Sequence, residues 1–300
     1  MGYMQDGVYH AEDFDAGTDA AGHFQRARST LRDTIPAGLG TQDLHLFVAW
    51  NCPWAHRALL TRAVLRLEDI TVSYALPRRT DQGWVFADEP LLGASAMHEV
   101  YAAGADAYTG RVTVPVLWNK RDGCIINNES ADIIRLLEDT FAPGTLRPAD
   151  KLAEIDRWNE VIYPGLNNGV YRAGFATTQE AYTEAALQVF ATLDQIETQL
   201  GKTRYLTGDA VTEADIRLFP TLARFDVAYH GAFKCNLRRL VDYPHLWAYA
   251  RDLYQLSGVA ETVDFEIYKN GYYSPNEKRN PLGIIPIGPH IDWNVPHGRA

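Results

Sequence analysis

The apolar run Leu44-His45-Leu46-Phe47-Val48-Ala49-Trp50 stops at Asn51-Cys52, and the next segment, Pro53-Trp54-Ala55-His56-Arg57-Ala58-Leu59-Leu60, has the pattern of a starting helix. A strand that passes into a helix through so short a turn puts Cys52 at or beside the N-cap. Pro53 then takes an early helical position, where its missing N–H costs nothing. The unpaired amides of a helix N-terminus favour thiolate over thiol, so the Cys52 pKa is expected below the ordinary value of about 8.5. The fourth position of the motif is Ala55, where a dithiol oxidoreductase would carry a second cysteine. Cys52 therefore acts alone and needs an external thiol to resolve it.

The order that follows predicts a thioredoxin-like α/β domain. A helix over about 53–67 leads to a strand at 70–76, a long insertion from Pro77 to Gly110, and the strand pair Val114–Trp118 and Cys124–Asn127 joined by Lys120-Arg121-Asp122-Gly123; a last helix starts near Ser130. An insertion of that length in a compact domain is functional or mobile. Residues 1–40 carry few periodic signals and read as an irregular arm, residues 41–145 as the thioredoxin-like domain. Pro143, Gly144 and Pro148 mark a linker to an all-helical domain over 149–300, with helices near 149–163, 179–199, 212–229 and 244–256. Thr212-Glu213-Ala214-Asp215 is a capping-box pattern and thus a folding signal. Beyond about Phe265 the chain reads as a Gly/Pro/Tyr-rich tail without helical period, apolar enough to wrap onto a surface.

Composition narrows the function classes. With 28 basic and 38 acidic residues the net charge is −10, which disfavours nucleic acid and anionic lipid as partners. No leader pattern or run of membrane-span length is present, so no membrane association is expected. The three scattered cysteines, Cys52, Cys124 and Cys235, are poor material for a disulfide framework and suit a reducing cytoplasm, the expected location. No cluster has metal-ligand spacing, His45 and His56 included, and no metal is expected; neither a phosphate-binding glycine loop nor a G-x-S-x-G motif occurs. Cys124 and Cys235 read as inert buried thiols. Trp54 reads as core or lid as readily as a ligand platform, and Arg238-Arg239 as a salt-bridged helix face or a subunit contact.

Two features join Cys52. Proline inside a strand pattern removes a ladder hydrogen bond, and in thioredoxin-like domains this place holds a cis-proline facing the nucleophile. A cis Val114–Pro115 bond would leave the Val114 backbone to pair with an extended peptide-like ligand. Asn128-Glu129-Ser130, at the head of the next helix, offers a hydroxyl and amides to a carboxylate and an acid to an ammonium group. Thiolate, strand edge and a pocket for one carboxylate and one amine describe glutathione as co-substrate, its sulfur at Cys52.

The segments Asn51-Cys52-Pro53-Trp54-Ala55-His56-Arg57, Asn127-Asn128-Glu129-Ser130, Asn167-Asn168-Gly169-Val170-Tyr171, Ala214-Asp215-Ile216-Arg217-Leu218-Phe219 and Phe233-Lys234-Cys235-Asn236-Leu237-Arg238-Arg239 closely resemble the Xi-class glutathione transferases, or glutathionyl-hydroquinone reductases. The match runs from about Gly22 to the C-terminus. It implies the glutathione transferase architecture, a homodimer, and reductive removal of glutathione from quinol conjugates. Carried over by position, it implies Cys52 as nucleophile, Tyr171 as the proton-handling tyrosine, and Tyr229 with Tyr272 or its neighbour Tyr273 as pocket tyrosines. The implied glutathione contacts are Trp84, Arg111, Val114, Glu129 and Ser130. Two other readings fit the same residues: a general monothiol transferase or deglutathionylase that needs Cys52 but not Tyr171, and a non-catalytic scaffold that kept the fold.

Overall fold

A computed structural model describes residues 2–12, 17–277 and 279–299. The chain divides into two units, residues 1–16 with 26–143 and residues 17–25 with 144–300. The first contains strands β1 (Tyr3–Gln5), β2 (Val8–His10) and β3 (Leu44–Ala49), helix α1 (Pro53–Val64), β4 (Thr71–Ala75), α2 (Met97–Gly104), β5 (Gly110–Arg111), β6 (Val116–Asn119), β7 (Cys124–Asn127) and α3 (Ser130–Phe141). Its main sheet has the order β4-β3-β6-β7, with β3 parallel to β4 and antiparallel to β6. Such a central strand is covered on both faces, which explains why β3 is a continuous apolar run, buried at all six positions, where a half-exposed strand would alternate.

One member of that run is polar. The buried His45 ring meets the Thr71 hydroxyl at 2.7 Å and the Ser73 hydroxyl at 3.0 Å, and Ser73 donates to Glu89 at 2.7 Å. Glu89 also accepts from the amides of Leu91 (2.9 Å) and Leu92 (2.7 Å), so the chain of bonds fastens the insertion to the interior of the sheet. Burial lowers the His45 pKa to about 4, so at neutral pH the ring is an uncharged hydrogen-bonding group.

Several elements differ from the sequence expectation. The arm expected to be irregular supplies β1 and β2, which pair with each other and with β5, and residues 17–25 go to the second unit. The insertion holds a short helix, α2, which buries Met97, Val100 and Tyr101. The strand expected from Val114 begins at Val116. Val114–Pro115 is cis, and the ladder with β3 ends at the pair Phe47–Val116. Cys124 is half-buried rather than buried, while burial pushes the Cys235 thiol up to about 12.

The second unit is helical: α4 (Leu152–Ile162), α5 (Gly169–Phe175), α6 (Gln179–Leu200), α7 (Glu213–Arg224), α8 (His230–Ala232), α9 (Pro244–Tyr254) and α10 (Phe265–Tyr272). Pro164 has no N–H to give, and α4 passes there into a π-helical turn, Tyr163–Asn167. A second π turn, Phe225–Tyr229, follows α7. Both capping-box bonds of Thr212 and Asp215 are formed. The buried Asp215 carboxylate goes further, accepting from the Leu206 amide (3.1 Å) and the Tyr249 hydroxyl (2.7 Å), and so joins α7 to α9. Helix α10 occupies the start of the segment expected to be a tail. The last residues lie against the unit: Trp293 stacks on Phe265 at 5.0 Å, and Arg299 donates to the carbonyls of Leu200, Thr203 and Arg204. Arg238 pairs with Asp194 and Arg239 with Asp242 on the surface.

Candidate active site

The first unit gathers the thiol and its surroundings. Cys52 is the N-cap of α1, with extended backbone (φ −83°, ψ 116°), and Pro53 is the first helical residue. The Cys52 amide donates to the Ala49 carbonyl (3.0 Å), and its own carbonyl accepts from the His56 amide (3.0 Å), which fixes the junction. Its sulfur is 3.6 Å from the carbonyl oxygen of Val114, so the thiol faces the cis-proline turn. The Asn51 side chain donates to the Pro77 carbonyl at 3.0 Å and ties the same junction to the start of the insertion.

Glu129 is the N-cap of α3 and accepts from the Ala131 amide at 3.1 Å, while its own amide donates to the Asn127 side chain at 2.7 Å. Ser130 is buried, and its hydroxyl accepts from Arg57 at 3.4 Å. Both groups thus stand at a helix N-terminus, where backbone dipoles favour an anion.

Cations gather on this unit despite the acidic balance of the chain. The Arg57 and Arg26 guanidiniums lie 4.6 Å and 4.7 Å from the centre of the Trp54 ring, and Arg79 lies 4.9 Å from that of the buried Trp84. Arg111 is partly buried, its pKa lowered first by burial and then by repulsion from Arg26 and Arg79, and its Nε atom has no hydrogen-bond partner. A half-buried guanidinium whose charge is made costly by two neighbouring arginines is prepared for an anion. Nothing in the local pattern marks Arg26, which sits in the stretch without period.

Tyr101, one of the aromatic residues of the long insertion, has a bracing role that the sequence does not show. Its buried hydroxyl donates to the Thr113 carbonyl (3.0 Å) and accepts from the Asn128 side chain (3.0 Å). It therefore braces the segment before Val114 and the segment before Glu129 together. Burial raises its pKa to about 12, so the bond is made by a neutral phenol. The only signal was an aromatic residue in a long insertion.

The second unit gathers three tyrosines. The Tyr272 hydroxyl is 2.7 Å from that of Tyr171 and 3.0 Å from that of Tyr229. The Tyr171 and Tyr272 rings each pack edge to face on Tyr229 and on Phe233, at centroid distances of 5.2 to 5.9 Å, while Tyr229 stacks on Phe233 at 5.3 Å. Tyr272, on α10, is the member of the Tyr272–Tyr273 pair that joins the group; the Tyr273 hydroxyl lies against Gly231. The choice follows from helix geometry, since neighbouring residues on a helix point about 100° apart. Burial holds the phenols of Tyr229 and Tyr272 well above their ordinary pKa. Among the described residues no group of three or more His, Cys, Asp or Glu side chains could hold a metal ion, and no helix is long and apolar enough to cross a membrane.

Residues 51–140 match the model for the glutathione S-transferase N-terminal domain, and residues 179–252 that for the C-terminal domain. The glutathionyl-hydroquinone reductase PcpF of Sphingobium chlorophenolicum is 45% identical over 96% of both chains. The glutathionyl-hydroquinone reductase YqjG of Escherichia coli is 43% identical over 100% of this chain and 98% of its own. This chain belongs to the Xi-class glutathione transferases. Among solved structures, the Xi-class transferase of Natrialba magadii superimposes with a TM-score of 0.90 at 38% identity, covering 100% of this chain and 97% of its own. The glutathione-bound structure of E. coli YqjG gives 0.85 at 41% identity, covering 99% and 98%. The thioredoxin-like first unit and helical second unit of this Xi-class transferase are the two halves of the glutathione transferase fold.

Proposed function

We propose that the chain is a glutathionyl-hydroquinone reductase that works through a Cys52–glutathione mixed disulfide. The observation that carries this reading is the solitary Cys52 thiol at the N-terminus of α1, facing the Val114 carbonyl across the cis-proline turn. Glutathione extends along the Val114 edge; Glu129 and Ser130, with Trp84 and Arg111, receive its charged ends. The first domain, residues 41–145, thus binds glutathione, and the helical domain, residues 149–300, carries the tyrosines for the ring.

The Cys52 thiolate attacks the glutathionyl sulfur, the sulfur–carbon bond breaks, and the ring carbon takes a proton from Tyr171. The quinol leaves, and the enzyme holds glutathione in a disulfide. A second glutathione gives its thiol proton back to Tyr171, attacks that disulfide as the thiolate, releases oxidised glutathione and restores the Cys52 thiolate. Carbon is a far worse leaving atom than thiolate sulfur, which is why a placed acid is needed. Tyr229 and Tyr272 support that acid and the charge that develops on the quinol oxygens. The names of the 45% and 43% identical relatives agree with this activity.

Purified protein with excess glutathione should convert a panel of glutathionyl-hydroquinones to hydroquinones, with one oxidised glutathione formed per quinol released. Consumption of mixed disulfides without any quinol release would favour the monothiol deglutathionylase instead. The working form is a homodimer. Sedimentation should accordingly give about twice the 33.6 kDa chain mass, and a monomer at every concentration would refute it.

A further inference from the structure

The second unit buries a cation beside its tyrosines. Arg224, at the C-terminal end of α7, is completely buried. Its guanidinium sits 3.7 Å over the ring of Tyr268 and donates to the Pro220 carbonyl at 2.9 Å, so it is held by ring and backbone together. Four phenols, those of Tyr268, Tyr272, Tyr229 and Tyr171, favour its charged form, while burial opposes it. The same charge acts on Tyr272 and Tyr229 in return and opposes the effect of burial on them.

The three hydroxyls form a chain with Tyr272 in the middle. Three phenols carry three protons, and the two bonds of the chain use two, so one proton remains to be donated outward. Tyr229 is fully buried, and Tyr171 is the half-exposed end. A buried positive charge turns nearby hydroxyl dipoles so that oxygen faces it and hydrogen points away. Tyr268 and Tyr272 lie four residues apart on α10, so the cation over the Tyr268 ring stands one helical turn from the middle hydroxyl, with buried Tyr229 at one end of the chain and half-exposed Tyr171 at the other.

We propose that Arg224 is a positioning residue of the reaction: a fixed cation that sets the direction of the Tyr229–Tyr272–Tyr171 hydrogen-bond chain, so that the spare proton stands on the Tyr171 hydroxyl and is donated outward. It touches neither the sulfur nor the ring. The proposal rests on the assignment of Tyr171 as proton donor to the leaving quinol carbon.

The test compares Arg224→Met, Arg224→Lys and Tyr171→Phe in the full chain, each assayed on a glutathionyl-hydroquinone and on a simple glutathione mixed disulfide. Arg224→Met should lower kcat for the quinol conjugate about tenfold or more, less than the loss of a donor in direct contact with the developing charge, and leave KM within about twofold. Exchange on the mixed disulfide should be unchanged, and Arg224→Lys should recover most of the quinol activity. If Arg224→Met does not fold, Arg224→Gln removes the charge while keeping donors and is read in the same way. Wild-type kcat in the neutral variant, an equal loss on both substrates, or a selective loss that lysine fails to recover would each overturn the proposal. Full quinol activity in Tyr171→Phe would instead overturn the assignment on which it rests; a slow Tyr171→Phe beside an unaffected Arg224→Met would sink the Arg224 role alone.

Discussion

Cys52→Ser is expected to reduce quinol release to the uncatalysed background. Serine fits the N-cap of α1 at least as well as cysteine and should leave the fold in place, with unchanged circular dichroism and melting temperature. What it removes is chemistry. Its hydroxyl does not ionise near neutral pH as a helix-terminal thiol does, and oxygen cannot form the disulfide that stores glutathione between the two half-reactions. Mass spectrometry after incubation with oxidised glutathione should show one added glutathionyl group on the wild type and none at residue 52 of the variant. Quinol release by Cys52→Ser at a rate near wild type would dismiss the covalent mechanism.

Tyr171→Phe should lower turnover of glutathionyl-hydroquinones by roughly 10²-fold or more, the usual contribution of general acid catalysis. The phenylalanine ring keeps the edge-to-face packing on Tyr229 and Phe233, so binding should change little and the loss should lie in kcat. Exchange on a plain glutathione mixed disulfide should survive, because a thiolate leaves without protonation and Cys52 is intact. Kinetics of the variant on both substrates decide the matter. Equal losses would reduce Tyr171 to a pocket wall, and no loss on either would make the deglutathionylase reading the better one.

The sequence made some of the candidate residues plain and hid others for definable reasons. The Cys52 junction was legible because three local signals coincide there: the end of an apolar strand, a proline at the first helical position, and a capping place with backbone amides ahead of it. Pro115 was legible because proline is out of place in a strand. The tyrosines were not legible as residues, since any of the sixteen could pack in the core; only the resemblance picked out three, and helix geometry separates Tyr272 from Tyr273. Arg224 left no trace, because a charged residue at the end of an amphipathic helix normally faces water, and only tertiary packing turns this one inward. Helix α10 escaped because its eight residues include Asn270 and Gly271 beside three aromatics, which blurs a period of 3.6. Its start was signed by Asp264, whose side chain caps the Ile267 amide at 2.8 Å.

The hydroxyl of Tyr101 bonds both the Thr113 carbonyl and the Asn128 amide group, and so fastens the segments leading to Val114 and to Glu129 to a single atom. Two banks moored to one post cannot drift separately. A substitution that shifts either segment is transmitted to the other, so at the proposed site glutathione affinity should behave as one adjustable quantity rather than as independent contributions from peptide edge and charged end. Removing the phenol would leave each bank to settle by itself, and the spacing between peptide edge and helix head would lose its common reference.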